Sequence, residues 1–334
     1  MIYKCRNCGA NAVYSPEKGT MYCPYCDSQD SEELAPGGGM AVCMNCGGEL
    51  KPGDYMSAVK CEHCGTYVIF EERTEGCYKP HVILPFKLGK KEVQERIRAR
   101  YAKSAFIPAD FLSDAKLSEI EGMYIPFFLY DFDCHYDIRA TGSKIRTWRS
   151  GNYEYTETSL YQVERDATID FEKLPVDASI AMPDEAMDLI EPYDYKALED
   201  FQTKYMSGFF AEKYNMDATE LGPRAKDKAK ADAKAIMNKT ITGYSTITNR
   251  TDNVTMDEKK ADYALLPVWC YSYQYKGKDY LFKMNGQTGK IVGKPPVSWA
   301  RVWGYGATVF GCTSAILAMI MLLAEVLSVS YTHL

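Results

Sequence analysis

The 334-residue sequence predicts two small cysteine-rich β modules, an α+β domain with an antiparallel sheet, and a C-terminal transmembrane helix. Three observations lead to this fold class. Four Cys-x2-Cys pairs recur at a fixed spacing, strand and helix patterns alternate over residues 74–297, and an apolar run without charge covers residues 305–324.

The two cysteine-rich modules share one spacing. In each, two Cys-x2-Cys pairs are separated by fourteen residues, and the second module repeats the first 38 positions further along. Four thiolates at this spacing are typical of a tetrahedral zinc site in a zinc ribbon, with one knuckle for each pair. The predicted ligands are Cys5, Cys8, Cys23 and Cys26 in the first module and Cys43, Cys46, Cys61 and Cys64 in the second.

The chain is therefore predicted to bind two Zn²⁺ ions. Iron in an all-sulfur site is the alternative metal, and two disulfides per module are the alternative without a metal. We expect left-handed backbone after the second cysteine of each knuckle, at Gly9, Asp27, Gly47 and Gly65. His63 lies inside the last knuckle, where we expect an exposed side chain rather than a fifth ligand.

The spacing and the composition set the domain boundaries. Each ribbon has about 30 residues, which is too few for an apolar core alone, so metal binding should supply on the order of 10 kcal/mol of folding free energy per site. The segment between the ribbons is acidic and then Pro/Gly-rich, which favours a flexible linker. The predicted units are ribbon 1 at 1–29, the linker at 30–39, ribbon 2 at 40–73, the α+β domain at 74–297 and a membrane anchor at 298–334.

Alternating patterns define the α+β domain. Apolar spacing favours a helix at 90–103, the aromatic-rich segment 186–214 is predicted to be mostly helical, and alanines and lysines favour a helix at 223–239. Strand composition favours strands at 124–140, a strand pair at 152–169, and further strands at 240–249, 263–275 and 278–284, with a hairpin turn at Asn285 and Gly286.

An internal resemblance suggests how these elements are organised. Residues 124–130 are similar to residues 264–271, and each segment follows a predicted helix. This similarity favours two helix-plus-meander repeats. Independent strands of similar composition are the simpler alternative.

The run at 305–324 is long enough to span a bilayer. Trp299, Trp303 and Tyr305 lie at its start, as in an aromatic belt. Cations precede it, and the positive-inside bias together with the reduced cysteines predicts cytoplasmic ribbons and a cytoplasmic α+β domain at the cell membrane. A buried core helix is the alternative. The abrupt end at 328–334 is interpreted either as a truncation, after which a second span could follow, or as an artefact of sequence assembly.

Charge weighs against nucleic-acid binding. The chain has a net charge of −6, and residues 1–70 carry five cationic against eight acidic side chains, or −3, before each zinc–thiolate centre adds about −2. A protein partner is therefore favoured for the ribbons. Exposed tyrosines could serve such contacts or instead cover the small cores: Tyr3, Tyr14, Tyr22, Tyr25 and Tyr55. The cationic helix at 224–239 could contact anionic lipid or an acidic partner, although a solvated face is the simpler interpretation.

The sequence contains no catalytic motif that we recognise. It has no P-loop, no GxGxxG after a strand, no HExxH and no GxSxG. Asp131, Asp133, His135 and Asp137 would share one face of a strand. This face is either a solvated polar surface, a second metal site or part of an unrecognised enzyme site, and the first interpretation is favoured.

The layout resembles a family of bacterial membrane-associated proteins with zinc ribbons of the transcription-factor-IIB type, often labelled after a primosomal helicase. This family implies cytosolic ribbons, a soluble α+β domain and C-terminal anchoring, and its role is undefined. Its members continue past the first span, unlike this chain, and no ATP-binding motif here supports the helicase label. The segments that carry the resemblance are KCRNCG (4–9), YCPYCD (22–27), FIPADF (106–111), GMYIPFFLYDF (122–132), KLPVDAS (173–179), EPYDY (191–195), SGFFAEKY (207–214), YALLPVWCYSYQYKGKDY (263–280) and MNGQTGKIVG (284–293).

The predicted function is thus that of a non-enzymatic zinc-binding membrane protein whose cytosolic ribbons contact other proteins. One alternative is a membrane-tethered nucleic-acid-binding factor in transcription or replication. Another is a PepSY-like module linked to protease regulation, because YLFKMNGQTGKIVG (280–293) looks like the end of such a module. The sequence leaves the partner and the oligomeric state open.

Overall fold

The computed structural model describes residues 1–34 and 42–331, with side chains described as far as residue 324. These residues contain fourteen β-strands and five α-helices. In chain order they are β1 Ile2–Cys5, β2 Val13–Ser15, β3 Thr20–Tyr22, β4 Ser31–Leu34, β5 Met56–Lys60, β6 Tyr67–Ile69, β7 Val82–Ile83, α1 Lys90–Tyr101, α2 Asp114–Leu117, β8 Glu121–Ser150, β9 Tyr153–Asp177, α3 Asp184–Ile190, β10 Glu199–Asp200, β11 Phe210–Glu212, α4 Ala218–Asn238, β12 Thr246–Tyr275, β13 Lys278–Asn285, β14 Ile291–Val292 and α5 Trp299–Tyr331.

One sheet organises the molecule. Its strands lie in the order β10-β7-β12-β8-β11-β5-β6, and β13 and β9 pair in addition with β12 and β8. Most pairs are antiparallel, as predicted, but β7 runs parallel to β12 and β11 runs parallel to β8. The prediction of an antiparallel sheet is therefore corrected to a mixed sheet. Each of these two short strands pairs with a long strand that does not follow it directly in the chain, so no hairpin turn makes the pair antiparallel.

The same order of elements occurs twice. β7, α1, β8 and β9 form one unit, and β11, α4, β12 and β13 form the other. The parallel pairs match in register when Pro126 is aligned with Pro267, since Ala211 lies beside Tyr124 and Ile83 beside Leu265. The two long strands β8 and β12 pair with each other along the middle of the sheet.

Each proline occupies the place where its strand exchanges one neighbour for another. Beside Pro126, β8 passes from β11 to β9, and beside Pro267, β12 passes from β7 to β13. A central strand normally excludes proline because the residue cannot donate a ladder hydrogen bond. The carbonyls are still used: Ala178 N donates to Pro126 O and Gly286 N to Pro267 O, both at 2.9 Å.

Strands β8, β9 and β12 are longer than predicted. They have 30, 25 and 30 residues, and β8 pairs with β9 on one side and with β12 on the other, so that the three form an arm of long paired strands. The separate strands expected at 240–249 and 263–275 are one strand, because the charged segment between them pairs with β8 along most of its length. Side chains such as Cys134, Tyr136 and Ile138 alternate inward and pack with Ala233 and Met237 of α4.

Helix α4 covers this face of the arm. It starts at Ala218, earlier than predicted, because Asp217 and Glu220 form a capping box at its N-terminus. Ala225, Ala229 and Ala233 are spaced by four residues and are fully buried against the strands.

The prediction of a helix over 186–214 is wrong. Only α3 is α-helical there, and short strands and turns follow it. The side chain of Asn285, which is fully buried, donates at 3.1 Å to the carbonyls of Ile190 and Pro192. These tertiary hydrogen bonds hold the segment after α3 in an extended form.

The predicted linker also differs from the structure. β4 lies inside it and pairs antiparallel with β1, so that ribbon 1 extends to Leu34. Tyr3 Oη donates to Glu33 Oε2 at 2.7 Å. The pairing explains why an acidic segment is ordered. Residues 35–39 of the predicted linker lie outside the described residues.

The C-terminal helix α5 has the properties expected of a membrane span. Trp299–Ala324 contains an 18-residue apolar window with a mean hydropathy of 2.1, and this window is 0% buried in the fold. The alternative of a buried core helix is therefore wrong. Among the described residues this is the only helix long and apolar enough to cross a membrane.

Candidate metal centres

The first four-cysteine group has the geometry of a tetrahedral metal site. Its four Sγ atoms lie within 4.8 Å of one another. Cys5 and Cys26 are 3.5 Å apart, and Cys8 and Cys23 are 3.6 Å apart, measured between sulfurs. Zn–S bonds of about 2.3 Å in a tetrahedron would place sulfurs about 3.8 Å apart. The group therefore fits a Zn²⁺ ion with little adjustment.

The second group repeats this arrangement. The sulfurs of Cys43 and Cys64 are 3.7 Å apart, as are those of Cys46 and Cys61. All the cysteines of the chain are free thiols in this structure. The structure therefore brings together each set of four predicted ligands, and the two groups can each bind one metal ion.

All four knuckles have the same backbone conformation. The expected left-handed residues are confirmed, with φ of 73° at Gly9, 60° at Asp27, 73° at Gly47 and 72° at Gly65. The amide of each donates to the carbonyl of the first cysteine of its knuckle at 2.8–3.0 Å. This turn is what directs both sulfurs of a knuckle to the same side.

Backbone amides also reach the sulfurs. Those of Ala10, Ser28, Gly48 and Thr66 donate to the second cysteine of their respective knuckles. Burial raises the pKa of the Cys64 thiol, but hydrogen bonds from Asn45 and Thr66 outweigh burial and bring this pKa to about 6. The thiolate is the form that binds a metal, so these donors favour metal binding.

The two ribbons are joined by a polar contact. Asn11 and Asn45 both donate to the hydroxyl of Thr66, and Lys4 Nζ donates to the side-chain carbonyls of Asn11 and Asn45. Ile2 of the first ribbon packs into the apolar core of the second. The ribbons therefore form one unit.

This unit is fixed to the sheet domain. Strand β5 of ribbon 2 pairs with β11, with Ala58 opposite Ala211, and so extends the main sheet. Ribbon 1 contributes Tyr14, whose amide donates to Ser207 O at 2.8 Å and whose ring packs edge-on against Tyr205 at 5.1 Å. Sequence reasoning missed these docking residues because each acts through a partner distant in the chain.

The predicted ribbon tyrosines differ in burial, with Tyr22 half-buried between a buried and an exposed group. Tyr3 and Tyr14 are buried and help to form the core. Tyr25 is 81% exposed and Tyr55 46% exposed, which leaves both available to a partner. His63 is also exposed and packs against Gly48, outside the four-sulfur group.

The carboxylates of the long strand β8 lie on the face opposite α4. Asp131 accepts a hydrogen bond from the amide of Lys173 at 2.7 Å, and Asp133 forms an ion pair with Lys259. His135 is exposed. Among the described residues, the two cysteine groups are the only candidate metal sites.

Fold and site define a class: proteins with two four-cysteine metal centres, a sheet-rich domain and one apolar helix able to span a membrane. No known family model matches the chain, and a search of solved structures finds no match. The chain is 36% identical over 333 residues to the uncharacterized protein YdjG of Bacillus subtilis (strain 168), covering 96% of this chain and 97% of YdjG. It therefore belongs to the same family as YdjG.

Proposed function

We propose that this protein is a non-enzymatic membrane adaptor that binds two zinc ions and presents its ribbons, of the transcription-factor-IIB type, to cytosolic protein partners. The observation that carries the proposal is the attachment of the ribbons to the sheet domain. They are joined to the main sheet through β5 and β11, whereas Cys8 and Cys46 and the exposed ring of Tyr25 remain at the surface.

Charge supports a protein partner over a nucleic acid. Residues 1–70 carry a net charge of −3 before any metal–thiolate centre is counted, and phosphate attraction dominates non-specific nucleic-acid affinity. Several cations of α4 are also neutralised within the chain. Arg224 contacts Asp177 at 2.9 Å, and Lys228 contacts Glu191 at 2.6 Å.

The membrane part of the proposal is supported by α5 and its flanks. Lys290, Lys294 and Arg301 precede the apolar run, which by the positive-inside rule favours a cytoplasmic N-terminal side. Thiolate metal centres persist in a reducing compartment, and this requirement leads to the same orientation.

The proposal is tested by photo-crosslinking the full chain in cells. A photoreactive amino acid replaces Tyr25, and in a matched variant it replaces Tyr153, a comparably accessible residue (72% against 81% exposed) at the turn between β8 and β9. We expect a discrete protein adduct from position 25 that is missing from position 153. Adducts to nucleic acid at position 25, or identical adducts from both positions, would refute the adaptor role.

The zinc dependence is tested with Cys5→Ser/Cys8→Ser in the same crosslinking background. Metal analysis by mass spectrometry should find two zinc ions in the parent and one in the variant. The adduct should disappear together with the first zinc, because the metal supplies most of the folding free energy of a ribbon. A metal other than zinc in the parent would contradict the proposal at its first step.

A further inference from the structure

The loop at 106–111 joins the apolar helix to the sheet domain. Ser298 N donates to Phe106 O at 2.7 Å, and Arg301 Nη1 donates to Ile107 O at 3.0 Å. The ring of Phe106 packs edge-on against that of Tyr305, with 5.7 Å between centroids. The first turns of α5 are therefore held against the domain at this loop.

The same loop fixes two further elements beside the helix. The ring of Phe111 lies 5.6 Å from Tyr101, the last residue of α1, and 5.0 Å from Tyr273, near the end of β12. Tyr273 Oη also donates to Asp110 at 2.8 Å. The end of α1 and the turn between β12 and β13 therefore lie close to the point where α5 leaves the domain.

Exposed cations lie at the end of α1, in the turn between β12 and β13, and in the segment before α5, where Tyr101 Oη donates to Gly293 O. We call them the juxtamembrane patch. No member forms an ion pair with any described residue. The nearby acids are Asp110, which accepts the Tyr273 hydroxyl, Asp279, and two acids paired with other cations, Asp114 with Arg98 and Glu119 with Lys116. Positive charge is thus concentrated beside the helix in a chain whose net charge is −6. The patch consists of Arg100, Lys103, Lys276, Lys278 and Lys294.

We infer that the juxtamembrane patch binds the headgroups of anionic phospholipids and so holds this face of the domain on the bilayer. The inference rests on the proposed membrane insertion of α5. Two observations select lipid as the occupant: the patch is continuous with the start of the span, and its charge is opposite to that of an anionic leaflet. Trp299 and Trp303, 60% and 75% exposed, add aromatic rings of the kind enriched at headgroup level.

The test uses the full chain in nanodiscs of phosphatidylcholine alone or with phosphatidylglycerol. Hydrogen–deuterium exchange of residues 274–280 should be slower in the anionic discs, and high salt should abolish the difference. Each lysine near an anionic surface favours the docked state by about fivefold. The Lys276→Glu/Lys278→Glu variant should therefore exchange equally fast in both lipids.

The matched control is Lys230→Glu/Lys234→Glu. Both lysines are exposed on α4 and, within the described part of the chain, form no ion pair. This control should retain the lipid dependence of exchange, because α4 packs on the arm rather than beside α5.

The outcomes separate the two ideas. If alkaline carbonate releases the full chain from membranes, α5 is not inserted, and both the membrane part of the proposed function and the patch are refuted. If the chain resists extraction but residues 274–280 exchange at one rate in both lipids, only the patch is refuted. Lipid-dependent protection that survives in the Lys276→Glu/Lys278→Glu variant would also refute it.

Discussion

Asp177 is a side chain whose ionised form is disfavoured by burial. It is fully buried at the end of β9, and its nearest cation is Arg224 at 2.9 Å. Burial raises its pKa to about 6, because the effect of burial is larger than the opposing effect of Arg224. The folded protein therefore holds a proton on Asp177 more tightly than the unfolded chain does.

This shift predicts a pH dependence of stability. Because the folded pKa is the higher one, the stabilisation due to Asp177 is present in full below pH 3.8 and is lost as the pH rises through about 6. Between pH 5 and pH 6, the free energy of unfolding of the parent relative to Asp177→Asn should fall by up to roughly 1.4 kcal/mol. Urea denaturation of both proteins across this range measures the difference.

The control for this prediction is Asp188→Asn. Asp188 also faces Arg224, at 3.6 Å, but its side chain is 44% exposed. This variant should keep the direction of the parent's pH dependence but shift it to slightly lower pH, because the charge of Asp188 contributes to the raised pKa of Asp177. If the free energies of unfolding of the parent and of Asp177→Asn change in parallel with pH, Asp177 is not the group responsible.

Helix α4 illustrates, at the level of an element, how small residues determine packing. Its alanine face lets the helix backbone approach the three strands of the arm closely, and Leu221 and Met237 close the two ends of the contact. The strong alanine and lysine pattern predicted the helix. Parts of the strands were also predicted, at 124–140 and 152–169, but the packing of this helix on them was not evident in the sequence.

Overpacking should reveal this contact. Ala229→Leu adds volume at a fully buried position and should lower the free energy of unfolding by about 1–3 kcal/mol. Ala231→Leu places the same side chain at an exposed position of the same helix and should be nearly neutral, because both residues favour helices. Equal midpoints for the two variants in denaturant would contradict the packing.

In the whole molecule, the sheet connects the metal centres to the membrane helix. Ribbon 2 extends the sheet at β5. The C-terminal end of β12 contacts the loop that holds α5. The ribbons are therefore part of one folded body, unlike the separate modules on a flexible linker that the sequence predicts.

Removal of residues 299–334 tests this organisation. The truncated protein should stay soluble after alkaline carbonate treatment and should retain two metal ions, because no described contact between α5 and the ribbons exists. The full chain should remain in the membrane pellet. Loss of metal on truncation would show that the ribbons depend on the helix.

The sequence by itself determined the features that are encoded locally. Cysteine spacing identified two sets of four ligands, glycine and aspartate positions identified the knuckle turns, and an uncharged run identified the apolar helix. Each of these depends on residues close together in the chain or on hydropathy alone.

Only the tertiary structure decided where these parts lie. The charged segment before Tyr263 becomes strand through pairing with β8, and the residues after Ile190 avoid a helix because Asn285 binds their carbonyls. The docking of the ribbons likewise depends on Ser207 and Ala211, far from the cysteines in the chain. Such contacts have no local signal, because their free energy arises only when distant segments meet.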